Sequence, residues 1–336
     1  MVLLELHRHG VFGQLNATEV GNGTVLMKIA IVGTGALGSV IGSLLWEAGL
    51  DPILLERNPE EVNCVRDNGL WIEGVSGDRY VRPGIYNDMS GLDQAELVIV
   101  LVKSYDTSTA CETIQKIISD RGVILTLQNG IGNYEILNSA FPDKVLMGVT
   151  TMGAMTLGPG KVRHTGFGPI LLGEIGGEMT ERTTAVRDTL KLMNGGPVEA
   201  VDNVLGAVWS KLIVNAGINA PATLLRLRNG DLPQTESGRG LIRKIVSECL
   251  ELLAVKGIKL MFDDPEAHVI EVCKGTYGNL NSMFQDIVAG RRTEIDFING
   301  AIVEQSKSVG LEAPVNETLT LLIKSLESTE RFRVLT

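Results

Sequence analysis

The run Lys28-Ile-Ala-Ile-Val32 is apolar and ends directly in Gly33-Thr-Gly35-Ala-Leu-Gly38, a GxGxxG after which apolar residues recur to about Ala48. With 39 glycines in 336 residues the pattern alone says little, because about 0.5 matches are expected by chance at that glycine content. Context carries the reading. A buried strand feeding a glycine turn that opens a helix aims backbone amides and the helix N-terminus at one point, which suits a pyrophosphate. Gly33, Thr34, Gly35, Ala36, Leu37 and Gly38 are therefore read as a dinucleotide-binding loop, with a purely structural glycine turn as the alternative.

The rest of the first half repeats this alternation. Residues 52–55 predict a second strand and 59–68 a helix. Residues 96–102, ELVIVLV, are apolar throughout, as expected of a strand covered on both faces of a parallel sheet. Residues 122–127, 145–149 and 169–172 predict further strands with glycine-rich turns between them, so the fold class is α/β and doubly wound. Near residue 195 the character changes. Helices are predicted at about 204–219, 234–256, 264–273, 279–289 and 292–309, with a last one near 315–328, punctuated by Pro221, Gly257, Gly290, Gly310 and Pro314. The expected organisation is a dinucleotide-binding domain over 27–196 and a helical domain over 197–336. Residues 1–26 stand apart as an N-terminal extension of no legible role. Its apolar stretch MVLLELHRHG is too short and too soon interrupted by charge for a signal peptide. No apolar run reaches the length of a membrane span, so no membrane partner is expected.

Net charge of −10 and a pI near 5.0 argue against nucleic acid as a partner, since phosphate binding needs a basic face. Four cysteines (Cys64, Cys111, Cys249, Cys273) are scattered without metal-type spacing, which fits reduced thiols and a cytoplasmic location. The four histidines include His7 and His9, leaving only His164 and His268 in the body of the chain. No metal site is expected, and lysine becomes the candidate acid.

Lys211, Asn215 and Asn219 are spaced four apart inside the apolar run Lys211-Leu-Ile-Val-Asn215-Ala-Gly-Ile-Asn219. On a helix they stack on one face over about 12 Å of axis. Buried ammonium and carboxamide groups need partners, and a small ligand with a carbonyl and a carboxylate supplies them. A lysine partly withdrawn from water loses affinity for its proton and can donate it to a ketone oxygen as hydride reaches the carbon. The plainer alternatives are a snorkelling lysine and structural asparagines.

Elsewhere the signals conflict or stay weak. Glu56, about twenty residues past the glycine loop, would accept from a free ribose 2′-hydroxyl, whereas Arg57 beside it would pair with a 2′-phosphate. The pair leaves the nucleotide open. Lys103 and Asn129 each follow an apolar strand, where ligands bind in this architecture. Glu294 opens a predicted helix, and Ser282 reads equally as a helix cap.

The order of motifs resembles the ketopantoate reductase family. The matching segments are GTGALG at 33–38, VLVKSYDT at 100–107, LQNGIGN at 127–133, WSKLIVNAGINAPATLL at 209–225, RNGDL at 228–232 and NSMFQDIVAGRRTEIDFINGAIV at 281–303. The resemblance runs from about Met27 to the end. It implies a Rossmann-type domain followed by an all-α C-terminal domain of 6-phosphogluconate-dehydrogenase-like architecture. It implies NADPH-dependent reduction of a 2-keto acid in pantothenate biosynthesis, with substrate between the domains. Glu56 leaves NADH open as the reductant. Carried over by position, Gly33–Gly38, Arg57, Lys103, Asn129, Gly153 and Glu294 are cofactor-side residues. Lys211 is the proton donor, with Glu294 beside it, and Asn129, Asn215, Asn219, Asn229, Asn279 and Ser282 contact substrate. An NAD-dependent D-2-hydroxyacid (mandelate-type) dehydrogenase and a non-catalytic dinucleotide-binding redox sensor are the alternatives. An exposed apolar helical face would support a homodimer.

Overall fold

A computed structural model describes residues 27–329, so the extension predicted at 1–26 lies outside the described residues. The chain divides into two compact units. One runs to Gln128 and resumes over Asn133–Val204; the other comprises Asn129–Gly132 and everything from Leu205.

The first unit begins β1 (Ile29–Val32), α1 (Ala36–Glu47), β2 (Ile53–Leu55), α2 (Pro59–Asn68). Asn58 caps α2, its side chain accepting from the Glu60 amide at 3.0 Å, and Pro59 occupies the first turn where a missing N–H costs nothing. Next come β3 (Leu70–Gly74), β4 (Arg79–Val81), β5 (Ile85–Tyr86), β6 (Ala95–Val100), α3 (Thr107–Ile117) and β7 (Ile118–Thr126). The unit closes with α4 (Asn133–Ala140), β8 (Val145–Thr150), β9 (Gly153–Gly158), β10 (Lys161–Gly166), β11 (Ile170–Gly173), α5 (Glu181–Lys191) and β12 (Val198–Ala200).

Eight strands form one sheet in the order β12-β11-β8-β7-β6-β1-β2-β5. All neighbours from β8 to β5 pair in parallel, and β11 joins β8 antiparallel. Strand β1 has β2 on one side and β6 on the other, so the winding reverses beside it. The glycine loop leaves β1 at that reversal, the place where an open α/β sheet binds its ligand. The apolar runs read from the sequence are apolar because the sheet is covered on both faces: Ile29, Ile31, Leu97 and Ile99 pack into one core, Ala30, Val32, Val98 and Val100 into the other.

A second sheet, β4-β3-β10-β9, was not expected. Its strands carry Glu73, Arg79, Lys161 and Arg163 among half-exposed positions and several glycines, a pattern that reads as turn.

The second unit is helical: α6 (Val204–Leu225), α7 (Glu236–Lys256), α8 (Pro265–Gly275), α9 (Ser282–Val288), α10 (Asn299–Ser308) and α11 (Pro314–Ser328). Thr235 caps α7 and Gly257 ends it in the left-handed conformation (φ 66°). Two expected boundaries change. Helix α6 does not stop before Pro221 but runs through it to Leu225. The helix expected at 292–309 breaks: Ile295–Phe297 is a single 3-10 turn, and Ile298 (φ −109°, ψ −94°) separates it from α10. Among the described residues no helix is long and apolar enough to cross a membrane.

Candidate active site

The three glycines of the loop have three separate reasons. Gly33 has φ +99°, and a Cβ there would lie 2.5 Å from the Val102 amide nitrogen. Gly38 is packed so tightly that a Cβ would collide with the Gly33 carbonyl inside the turn. Gly35 differs: a Cβ there would meet no atom within 4 Å. The first and third glycines are needed to build the turn, and the second keeps open the ground in front of the α1 N-terminus. That division fits a pyrophosphate approaching backbone amides.

Glu56 follows β2, and its carboxylate accepts from Thr34 Oγ1 at 2.8 Å and from the Asn58 amide at 2.9 Å. It is thereby tied to the glycine loop. Arg57 turns elsewhere, donating to both oxygens of Asp106 at 3.2 and 2.6 Å with most of its side chain in water. Lys103 precedes the 3-10 turn Ser104–Asp106. Gln128 Nε2 donates to the Val102 carbonyl at 3.0 Å and to Thr107 Oγ1 at 2.8 Å, fastening that turn to the end of β7. Gly153 opens β9, where any side chain would collide with Thr165 Oγ1 of the paired strand.

In the second unit three expected residues meet. Lys211 Nζ donates to Asn129 Oδ1 at 2.7 Å, and Asn129 Nδ2 donates to Glu294 Oε2 at 3.3 Å. The orientation of the amide is forced, because an ammonium only donates and a carboxylate only accepts. Asn129 is brought there by its neighbours: the Ile131 amide donates to the Phe297 carbonyl at 2.9 Å, and Gly130 (φ +86°) lies so close to Phe297 that no Cβ fits. Glu294 is buried at the start of the 3-10 turn, so it opens that turn rather than a long helix. Burial of the ammonium lowers the Lys211 pKa from the ordinary lysine value to about 8, while the Glu294 carboxylate pulls it back up.

Asn215 and Asn219 follow Lys211 on α6, half-buried and buried respectively. Neither commits its carboxamide to another side chain among the described residues. The face continues to Thr223, which donates to Asn281 Oδ1 at 3.3 Å. Asn281 also accepts from the Phe284 amide at 3.0 Å, so Asn281 is the cap of α9 and Ser282 its exposed first residue. The sequence NS before an apolar run fits either residue as cap, and the structure gives the cap to Asn281. Asn229 is buried and donates to Thr276 Oγ1 at 3.1 Å, and its amide bonds the Asn279 carbonyl at 3.0 Å. The Asn279 side chain itself lies on an exposed stretch.

Among the described residues no group of three or more His, Cys, Asp or Glu side chains is placed to hold a metal ion. The winding of the sheet, the glycine cradle and a lysine of lowered pKa beside uncommitted amides define an oxidoreductase of the dinucleotide-dependent class. Comparison with known proteins narrows the class. The family model described as ketopantoate reductase PanE/ApbA matches residues 29–177, and its C-terminal companion matches 203–327. A 2-dehydropantoate 2-reductase of Pyrococcus horikoshii is 37% identical over 303 residues, covering 90% of this chain and 98% of that one. The crystal structure of a PanE/ApbA family ketopantoate reductase from Ralstonia eutropha JMP134 aligns with TM-score 0.84 and 32% identity, over 91% of this chain and all of that one. D-mandelate dehydrogenase, in a ternary structure with NADH and anilino(oxo)acetate, aligns with TM-score 0.83 and 30% identity, over 90% and 99% of the two chains. The chain belongs to the ketopantoate reductase family.

Proposed function

We propose that this protein is a 2-dehydropantoate 2-reductase, converting ketopantoate to (R)-pantoate for pantothenate and coenzyme A synthesis. The relatives that match nearly its whole length support the reaction, and one observation in the second unit carries the mechanism. It is the ammonium of lowered pKa at Lys211, held by Asn129 in line with uncommitted carboxamides.

The glycine loop would hold a nicotinamide dinucleotide, whose reduced form would supply hydride for the keto carbon. Lys211 donates the proton that the new alkoxide oxygen needs, which balances the reduction to a secondary alcohol. Asn129 keeps the ammonium in place, and Glu294 holds it in the charged form. Asn215 and Asn219 offer amides to the hydroxyl and carboxylate of the substrate, with Asn229 and Ser282 as further contacts.

The sign of the pH dependence follows. Reduction needs Lys211 protonated, so kcat for reduction should fall about tenfold per unit above pH about 8. Oxidation of pantoate needs the free amine and should rise through the same value. Rates measured in both directions across that range check this; parallel profiles in the two directions would remove Lys211 from the proton transfer.

Glu56 supports NADH as the preferred reductant. Its carboxylate is anchored to Thr34 of the glycine loop, where it would accept from a ribose 2′-hydroxyl and repel a 2′-phosphate. Arg57, the candidate phosphate partner, is engaged by Asp106. The expected KM for NADH is about tenfold or more below that for NADPH. Initial rates with each nucleotide decide it, and a preference for NADPH would place Arg57, released from Asp106, on the phosphate.

A further inference from the structure

The turn of α6 between Asn215 and Asn219 contains a glycine and lacks one of its helix hydrogen bonds. Gly217 does not restrict its own backbone, and Pro221 has no N–H to return to the Gly217 carbonyl. Yet this turn sets the spacing of the two carboxamides. One bond from outside the helix reaches it: Asn299 Nδ2 donates to the Ala216 carbonyl at 3.3 Å.

Asn299 does not choose its own orientation. Asn316 Nδ2 donates to Glu248 Oε2 at 2.7 Å, and Asn299 Nδ2 donates to Asn316 Oδ1 at 2.9 Å. A carboxylate only accepts, so Asn316 must turn its nitrogen to Glu248 and its oxygen to Asn299. Asn299 must then answer with nitrogen. Both asparagines are fully buried, and the arrangement leaves Asn299 Oδ1 with no partner among the described residues. Leaving a buried carbonyl oxygen unpaired is unfavourable, and the nitrogen of the same amide is what satisfies the buried Asn316 Oδ1. Through that one nitrogen Asn299 ties the Ala216 carbonyl of α6 to Asn316 of α11.

We propose that Asn299 is a positioning residue for substrate binding: through Ala216 it clamps the glycine–proline turn of α6, and Glu248 fixes the direction of its amide. The proposal rests on the reading that Asn215 and Asn219 hold the keto acid.

Asn299→Asp replaces the donating nitrogen with oxygen at the same size. Amide exchange over residues 216–220 should quicken about tenfold while the first turns of α6 keep their rates. The KM for ketopantoate should rise about tenfold, with the dinucleotide Kd within about twofold of wild type. A role in packing alone would lower Tm and leave both the local exchange pattern and the KM of the folded enzyme as they were; that result overturns the proposal. Should Asn299→Asp not fold, Glu248→Gln, at a half-exposed position, is read in the same way, because it frees both amides to turn. A wild-type protein inert to ketopantoate would instead refute the proposed function, and the exchange arm would still decide whether the clamp exists.

Discussion

Lys211→Ala is expected to lower kcat for ketopantoate reduction by about 10²–10⁴, the range for loss of a positioned general acid. The backbone of the glycine cradle belongs to the first unit and is not altered by this substitution in the second. The substitution removes the desolvation cost of the ammonium, and it also takes a donor from Asn129 and the opposite charge from buried Glu294, two effects of opposite sign on stability. The folded-state pKa lies below the unfolded one, about 8 against 10.5. The unfolded chain therefore binds more protons between those values, and this lysine opposes folding most below pH about 8, with the penalty relieved as pH rises towards 10.5. Loss of turnover in a variant that still folds is the expected result. A loss below about tenfold would move the proton donor elsewhere.

Gly35→Val should leave the fold intact and weaken the dinucleotide by about a hundredfold, equivalent to roughly 3 kcal/mol. The backbone at Gly35 (φ −63°, ψ −166°) is open to any residue, and an added Cβ meets no protein atom within 4 Å. The valine side chain therefore occupies only the space a pyrophosphate would enter. Gly38→Val is the control with the opposite signature: its Cβ collides with the Gly33 carbonyl, so it should lower Tm outright. Titration of each folded variant with NADH and NADPH, beside a melting curve, separates the two. Wild-type affinity in Gly35→Val would mean that the loop is structural only.

How much of this could be read from the chain depends on how local each cause is. Six of the eight strands of the large sheet were legible because Ile29–Val32, Ala95–Val100 and their neighbours are buried on both faces and need no alternation, whereas the short edge strands β5 and β12 gave no such run. The ends of α2 and α7 were legible from Pro59 and Gly257. Pro221 misled, because its cost falls on one carbonyl and tertiary packing carries the helix past it. The spacing of Lys211, Asn215 and Asn219 announced a polar face on a buried helix. Its partners did not announce themselves: Asn129 and Glu294 are 165 residues apart and meet only in the fold. Motif order, through the family resemblance, named them; periodicity could not. Asn281 and Asn299 carried no signal beyond an asparagine near a helix start, and their roles appear only when their amide partners are known.

The measurement that bears most directly on the account is the oxidation of NADH and of NADPH, in parallel, by the purified protein given ketopantoate, with Lys211→Ala run beside it. The account predicts rapid turnover, faster with NADH at limiting nucleotide, that collapses in the variant. Binding of either nucleotide with no turnover on ketopantoate, while another 2-keto acid is reduced, would contradict the substrate assignment and leave the lysine chemistry to be tested on that acid.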